Sequence, residues 1–238
     1  AMLSELCRDV RRKVSFDTER ENRIISELAR HNVIAEEAVV YGENQNLSVT
    51  LVVREEDYNK VILEKIVSKV LKIKMERQQT EMTHGEWRTL NLCSSPYYTL
   101  AFGSKQAAKS TGEKNGDSLS CIKLSCGKII VALSDGMGQG FAAHAASDDT
   151  ITLVENFYKA GLKSDLILPL VNRLLSLKDT DDYSTLDIGV VDLTSGIFDV
   201  IKLGSCPTFI VSGDTVSKID SAALPIGILD KINPTTKT

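Results

Sequence analysis

No apolar run in the sequence approaches the ~18 residues of a membrane-spanning helix. The N-terminus, AMLSELCRDVRRK, lacks the continuous apolar core and small-residue cleavage site of a signal peptide. There is no excess of positive charge either: 28 Lys and Arg stand against 32 Asp and Glu, a net charge of −4. That argues against a broad basic surface, though not against a local patch, and no nucleic-acid partner is expected. Cysteine is sparse and odd in number. Cys7, Cys93, Cys121, Cys126 and Cys206 show neither a zinc spacing nor a disulfide framework. Reduced cytosolic thiols are therefore expected, with Cys121 and Cys126 the one pair near enough across a turn for a chance disulfide. GxxxxGK[ST] does not occur, which excludes a P-loop. No Ser-His-Asp arrangement and no internal repeat is evident. What remains is an ordinary globular composition, 42% hydrophobic and 25% charged over 238 residues. At ~150 residues each, that is one or two domains.

Leu3, Leu6, Val10 and Val14 form an apolar stripe at helical spacing. It reads equally as a plain surface helix or as a partner helix for self-association. Thr18 with Glu21 predicts a capping box opening a second helix to about Arg30. From Val33 the period shortens. Residues 34–41 and 47–53 read as paired strands around a Gly42–Asn46 turn, Asp57 to Leu71 as a helix, and 73–77, 89–92 and 97–102 as short strands. His31 and His84 read as surface residues rather than metal ligands, and Trp87 as packing. Residues 1–32 are thus expected to be regulatory or partner helices, and 33–102 a small α+β regulatory unit.

Gly103 to Gly116 is polar and rich in Gly, Ser and Lys, a linker or loop. After it come strands over 118–124 and 128–133, helices over 142–159 and 164–177, and strands over 185–193, 196–203, 208–211 and 215–219. Strands, a helix pair and more strands predict antiparallel sheets with helices on a face, not the βαβ alternation of a parallel fold.

The informative segment runs from Asn115-Gly116-Asp117-Ser118 to Ser134-Asp135-Gly136-Met137-Gly138-Gln139-Gly140. Asp117 and Asp135 each lie nine residues from Cys126, at the centre of a predicted turn. In a hairpin folded there they face each other at the open end, with Cβ atoms about 5 Å apart. Two carboxylates so placed repel unless one takes a proton or a cation lies between them. A hard divalent ion suits oxygen ligands, and Gly136 permits close approach of its backbone carbonyl. Such a site lowers the pKa of a bound water that can attack phosphorus in line. The plainer alternative, glycine beside aspartate as turn chemistry, remains open on spacing alone.

SDGMGQG after an apolar strand, with NGDS one hairpin earlier, resembles the metal-dependent protein phosphatases of type 2C. AFGSKQAAK, DDYSTLDIGVVDL, KLGSCPTFIVSGD and LPIGIL, in that order, are similar to the branch acting in sporulation, the stage II sporulation protein E family. The resemblance covers about residues 33–238. It implies an α+β fold: a small regulatory unit, then a type 2C phosphatase-like antiparallel β-sandwich flanked by helices over 103–238. It implies a protein-serine phosphatase that uses two Mn2+ or Mg2+ ions and dephosphorylates an anti-anti-sigma factor. By resemblance Asp117 is the first metal aspartate, Asp135 the aspartate bridging both ions, and Gly136 the donor of a backbone carbonyl. The helix pair after Gly140 resembles a switch element controlling metal binding. The resemblance also implies a longer, membrane-anchored protein with this part in the cytoplasm, the membrane being reached only through a segment absent from this chain.

The family pattern continues past LPIGIL with a second Ser-Asp-Gly and an Asp-Asp pair, absent before Thr238. A phosphatase domain truncated at its C-terminus, weakly active or inactive, is the expectation. Asp187, Asp192, Asp199 and Asp214 do not match those motifs, Asp179, Asp181 and Asp182 read as a solvated loop, and His144 as a helix-surface or packing residue. The alternative function is a non-catalytic signalling or assembly module dimerising through its N-terminal helix.

Overall fold

The computed structural model describes residues 17–43, 46–78, 82–107, 114–124, 127–177, 183–229 and 231–238. The Leu3–Val14 stripe and Asp179, Asp181 and Asp182 lie outside these. The chain divides into two compact units, one built on residues up to Thr99 and the other on Leu100–Leu124, Lys128–Asp192 and Gly196–Thr238.

In the first unit, helix α1 (Thr18–Arg30) is capped by Asp17, one residue earlier than its predicted cap. The Asp17 carboxylate accepts the Arg20 N–H at 3.0 Å. Glu21 is thereby free to accept the Val40 N–H at 3.0 Å, tying the helix to a strand. An aspartate caps at least as well as a threonine and adds favourable charge at a helix N-terminus. Strands β1 (Ala35–Glu43), β2 (Asn46–Arg54), β3 (Met75–Arg77), β4 (Met82–His84) and β5 (Trp87–Ser94) form one sheet. Its order is β1-β2-β5-β3, with β4 also on β5, and the pairs are antiparallel. The helix expected over 57–71 is two, α2 (Glu55–Tyr58) and α3 (Ile62–Leu71). Asp57 causes the break: buried, it accepts from Ile34 N–H at 3.3 Å and pairs with Lys60, holding a turn between them. Period-2 alternation sends Val49, Leu51 and Val53 of β2 and Leu90 and Leu92 of β5 to one face, where Ile24, Leu28, Leu63 and Val67 of the helices complete the core. The strand expected over 97–102 does not form; those residues are exposed and irregular. His31 is the exposed C-cap of α1, and Trp87 is half-buried with the Arg54 guanidinium 5.9 Å from its ring centroid.

One cysteine expectation fails. Cys93 of β5 is disulfide-bonded. Cys121 and Cys206 are free, so the Cys121–Cys126 pair does not form. Spacing along a chain does not report which cysteines the fold brings together.

In the second unit, β6 (Asp117–Lys123), β7 (Lys128–Asp135), β8 (Leu186–Asp192), β9 (Phe198–Leu203) and β12 (Thr235–Lys237) form an antiparallel sheet of order β12-β9-β8-β7-β6. Strands β10 (Thr208–Ser212) and β11 (Thr215–Ile219) make a separate hairpin. Helices α4 (Gly140–Lys159) and α5 (Ser164–Leu175) cover one face of the large sheet. Ile130, Ala132, Ile188 and Ile201 meet Ile151, Val154 and Tyr158 of α4 and Ile167 and Val171 of α5.

The underside of α4 changes character along its length. Its later turns bury apolar side chains. Its first turns meet the sheet through hydroxyls: Ser147 Oγ with Ser118 Oγ at 2.7 Å, and Thr150 Oγ1 with Ser184 Oγ at 2.7 Å. The segment 224–229 docks beside Ser184. Ile226 exchanges backbone hydrogen bonds with Ser184, and Asn172 of α5 takes Gly227 N–H at 2.9 Å and gives Nδ2–H to Leu229 O at 2.7 Å. LPIGIL is thus a strand-like clasp on β8's approach, held by one buried asparagine.

The opposite face carries a fully buried lysine. Lys202 of β9 lies directly across from Asp187 of β8 and pairs with it. Lys202 Nζ also donates to Thr208 Oγ1 at 2.7 Å, and Thr208 Oγ1 donates to Asp187 Oδ2 at 2.7 Å. The triangle joins β8, β9 and the start of β10. Removing one partner of such a pair strands a buried charge, whereas replacing both is tolerated. Asp187→Asn should lower stability by about 3 kcal/mol in urea unfolding. The double change Asp187→Leu with Lys202→Met should cost less than that single one. A double variant as unstable as the sum of the singles would contradict this account.

Candidate metal centre

Seven consecutive residue pairs join β6 to β7, from Asp117↔Asp135 to Lys123↔Ile129. The two aspartates are therefore directly opposed, as the count about Cys126 predicts. Their peptide groups show which kind of opposed pair they form. Asp135 turns both of its backbone groups toward Thr185: its N–H to Thr185 Oγ1 at 3.1 Å, its C=O to Thr185 N–H at 2.8 Å. The rung that does bond β6 to β7 here is the next one out, Gly136 N–H to Gly116 O at 3.3 Å. Asp117 and Asp135 thus form a non-hydrogen-bonded pair, the kind with Cα atoms only about 4.5 Å apart.

Alternation assigns the faces. Ser118, Ser134 and Gly136 lie on the side covered by α4, and the two aspartates on the other. Gly136 is required by space rather than by backbone angle: a Cβ there would lie 1.8 Å from Ala143 O in the first turn of α4. Gly138 and Gly140, with φ of 103° and 66°, supply the left-handed turns that lead from β7 into that helix. Every glycine of SDGMGQG has a use, and together they bring a helix start against the end of a strand.

Partial burial first, and then the charge and hydrogen bonding of Asp117, push the Asp135 carboxyl above the ordinary carboxylate range. The pair accommodates a shared proton or a cation, and two carboxylates of this geometry fit a hard divalent ion. Among the described residues, no group of three or more His, Cys, Asp and Glu stands ready to hold a metal. The structure brings Asp117, Asp135 and Gly136 together and leaves the other acids apart. Asp187 is committed to Lys202, and Asp199 accepts from Thr238 Oγ1 at 2.6 Å. His144, in the first turns of α4, has a buried Nδ1 without a hydrogen-bond partner.

Two residues that hold the pair escape a motif reading. Thr185 receives the Asp135 N–H on its side chain, and Asn115 Oδ1 accepts the Asp117 N–H at 3.2 Å. The second was detectable, since Asn two residues before a strand start is Asx-turn chemistry. The first depends on β8 arriving beside β7, which no local signal announces.

Compared with solved structures, the chain is similar over 99% of its length to the PP2C phosphatase domain with a fragment of the regulatory domain of the cell fate determinant SpoIIE from Bacillus subtilis. The TM-score is 0.68 at 27% identity, covering 71% of that chain. The second unit has the fold of a type 2C phosphatase domain, a class of metal-dependent protein serine/threonine phosphatases. Residues 125–238 match the model of stage II sporulation protein E. The chain is 30% identical over 240 residues to stage II sporulation protein E of Bacillus subtilis strain 168, covering 98% of this chain and 29% of that protein. It is 39% identical over 135 residues to the same protein of Priestia megaterium, covering 56% of this chain and 23% of that one. The chain is thus similar to stage II sporulation protein E, by the family model over residues 125–238 and by relatives matched over most of its length. It spans less than a third of the length of the curated relatives it matches.

Because the folded-state pKa of Asp135 is raised, its ionisation opposes folding. The contribution to stability is fullest below the ordinary Asp value, about 3.9, and is lost as pH rises through the raised one. Asp135→Asn removes that opposition. In chelator, it should melt at a higher temperature than the parent chain at pH 7, and the difference should close toward about pH 4. Calorimetry showing equal or lower melting at pH 7 would contradict the repulsion.

Proposed function

We propose that the chain carries the metal-binding part of a protein-serine phosphatase whose substrate is the phosphorylated serine of an anti-anti-sigma factor, and whose ions are Mn2+ or Mg2+. The direct opposition of Asp117 and Asp135 carries this reading. Asp117, Asp135 and the Gly136 carbonyl would hold the ion. A divalent ion there supplies positive charge that lets both carboxylates ionise, and it acidifies a water for attack on phosphorus.

The chain's own residues do the rest. The β6–β7 register sets the separation of the carboxylates. Thr185 fixes the peptide of Asp135, and Ser134 Oγ anchors to Thr185 O at 2.8 Å from the other face. The Ala143 backbone, packed on Gly136, sets where the turn after Asp135 can lie. Within this reading, residues 1–32 and 33–102 regulate and residues 103–238 contain the site. The longer protein is anchored to a membrane with this part facing the cytoplasm; no helix among the described residues is long and apolar enough to cross one. Self-association through the N-terminal helices rests on the Leu3–Val14 stripe. Of the two predicted N-terminal helices, α1 buries Ile24 and Leu28 within its own unit.

Two carboxylates and one carbonyl are a small ligand set for a hard ion. Weak metal binding and slow turnover are expected of this chain alone, and brisk manganese-dependent release of phosphate from a phosphoserine protein would contradict that. In a longer chain that does turn over the phosphoprotein, Asp135→Asn should reduce manganese-dependent release by more than about a hundredfold. Release that survives the change would overturn the assignment.

A further inference from the structure

β6 is the edge strand of its sheet. In a non-hydrogen-bonded pair, each residue's peptide groups point away from its opposite number. For Asp135 that direction is toward β8, where Thr185 answers. For Asp117 it is outward, where no strand lies among the described residues. An edge residue so placed leaves an N–H and a C=O to water, and its strand end is free to fray.

Here both groups are taken by side-chain amides. Asn115 Oδ1 accepts the Asp117 N–H at 3.2 Å, and Gln106 Nε2 donates to the Asp117 C=O at 3.3 Å. Asn115 reaches from two residues upstream, and Gln106 from the irregular segment 100–107, eleven residues away. The Asn115 Nδ2 is buried without a partner. An amide kept where half of its hydrogen-bonding capacity goes unused carries a desolvation cost, and its bond to Asp117 is what it provides in return.

We propose that Asn115 and Gln106 are positioning residues for Asp117. Together they replace the missing neighbouring strand and hold the first carboxylate opposite the second. They touch neither ion nor substrate; they act through the Asp117 peptide. This deepens the metal-site reading and rests on it. Outer groups that orient a ligand typically contribute 10- to 100-fold to metal affinity, and among the described residues no strand lies on that outer edge to substitute for them.

Manganese binding by the whole chain, followed as loss of the free Mn2+ electron paramagnetic resonance signal, tests it. Asp117→Asn should abolish binding. Asn115→Ala should weaken it about tenfold, and Asn115→Ser, which keeps an oxygen for the N–H two residues on, should recover most of the loss. Gln106→Ala, in an exposed segment whose change leaves the fold intact, should also weaken binding, with the chelator-treated melting temperature unmoved. If the parent chain binds no manganese, or Asp117→Asn binds as well as the parent, the metal-site reading falls and this inference with it. If Asp117→Asn abolishes binding but Asn115→Ala and Gln106→Ala both stay within twofold of the parent, the metal site stands and the positioning role is overturned.

Discussion

Two carboxylates held face to face at the open end of a hairpin repel each other, and the hairpin cannot relieve this without giving up its register. A slip of one residue would send Ile130 and Ala132 to the wrong face and expose the side chains that α4 and α5 cover. The apolar core therefore enforces the electrostatic conflict, and the conflict marks the place for a cation. The burial of Ile130, the opposition of Asp117 and Asp135, and the raised pKa of Asp135 are successive consequences of one strand pairing.

The surroundings of the pair differ from the rest of the sheet in a consistent way. Far from it, α4 is fastened by Ile151, Val154 and Tyr158. Near it, fastening is by Ser147, Thr150 and the backbone contact at Gly136. Apolar packing fixes a helix over an area and tolerates small shifts, whereas hydrogen bonds and a backbone contact fix particular atoms. Placing two peptides to within a few tenths of an ångström needs the second kind. On the helix-free face the same economy appears at Lys202, whose buried charge ties three strands at a point where apolar residues would bind more loosely in direction.

The glycine-rich turn, the clasp at 224–229 and the hairpin of aspartates occur together in one type 2C fold. The physical reading adds what each does. Gly136 admits the start of α4, Asn172 holds the clasp, and Ser184 links that clasp to the residue beside Asp135. These are contacts between segments far apart in sequence, so the site is a property of the assembled sheet.

Much of this was legible in one dimension. Period-2 alternation located most strands, the 3.6-residue period located α1, α3, α4 and α5, and equal counts on either side of Cys126 placed Asp117 opposite Asp135, because each depends only on neighbours along the chain or on one tight turn. Two of the misses share a cause. Asp17 displaced Thr18 as a cap because Glu21 was wanted by Val40. Asp57 broke a predicted helix because Ile34 needed an acceptor. In both a partner distant in sequence decided. Residues 97–102, with a fair strand pattern, formed no strand. The sequence by itself determined which residues could form a metal-binding pair and that a hairpin would join them. Only the tertiary structure decided that Thr185 and Gln106 would hold that pair, since a peptide group's partner depends on which strand, if any, lies beside it.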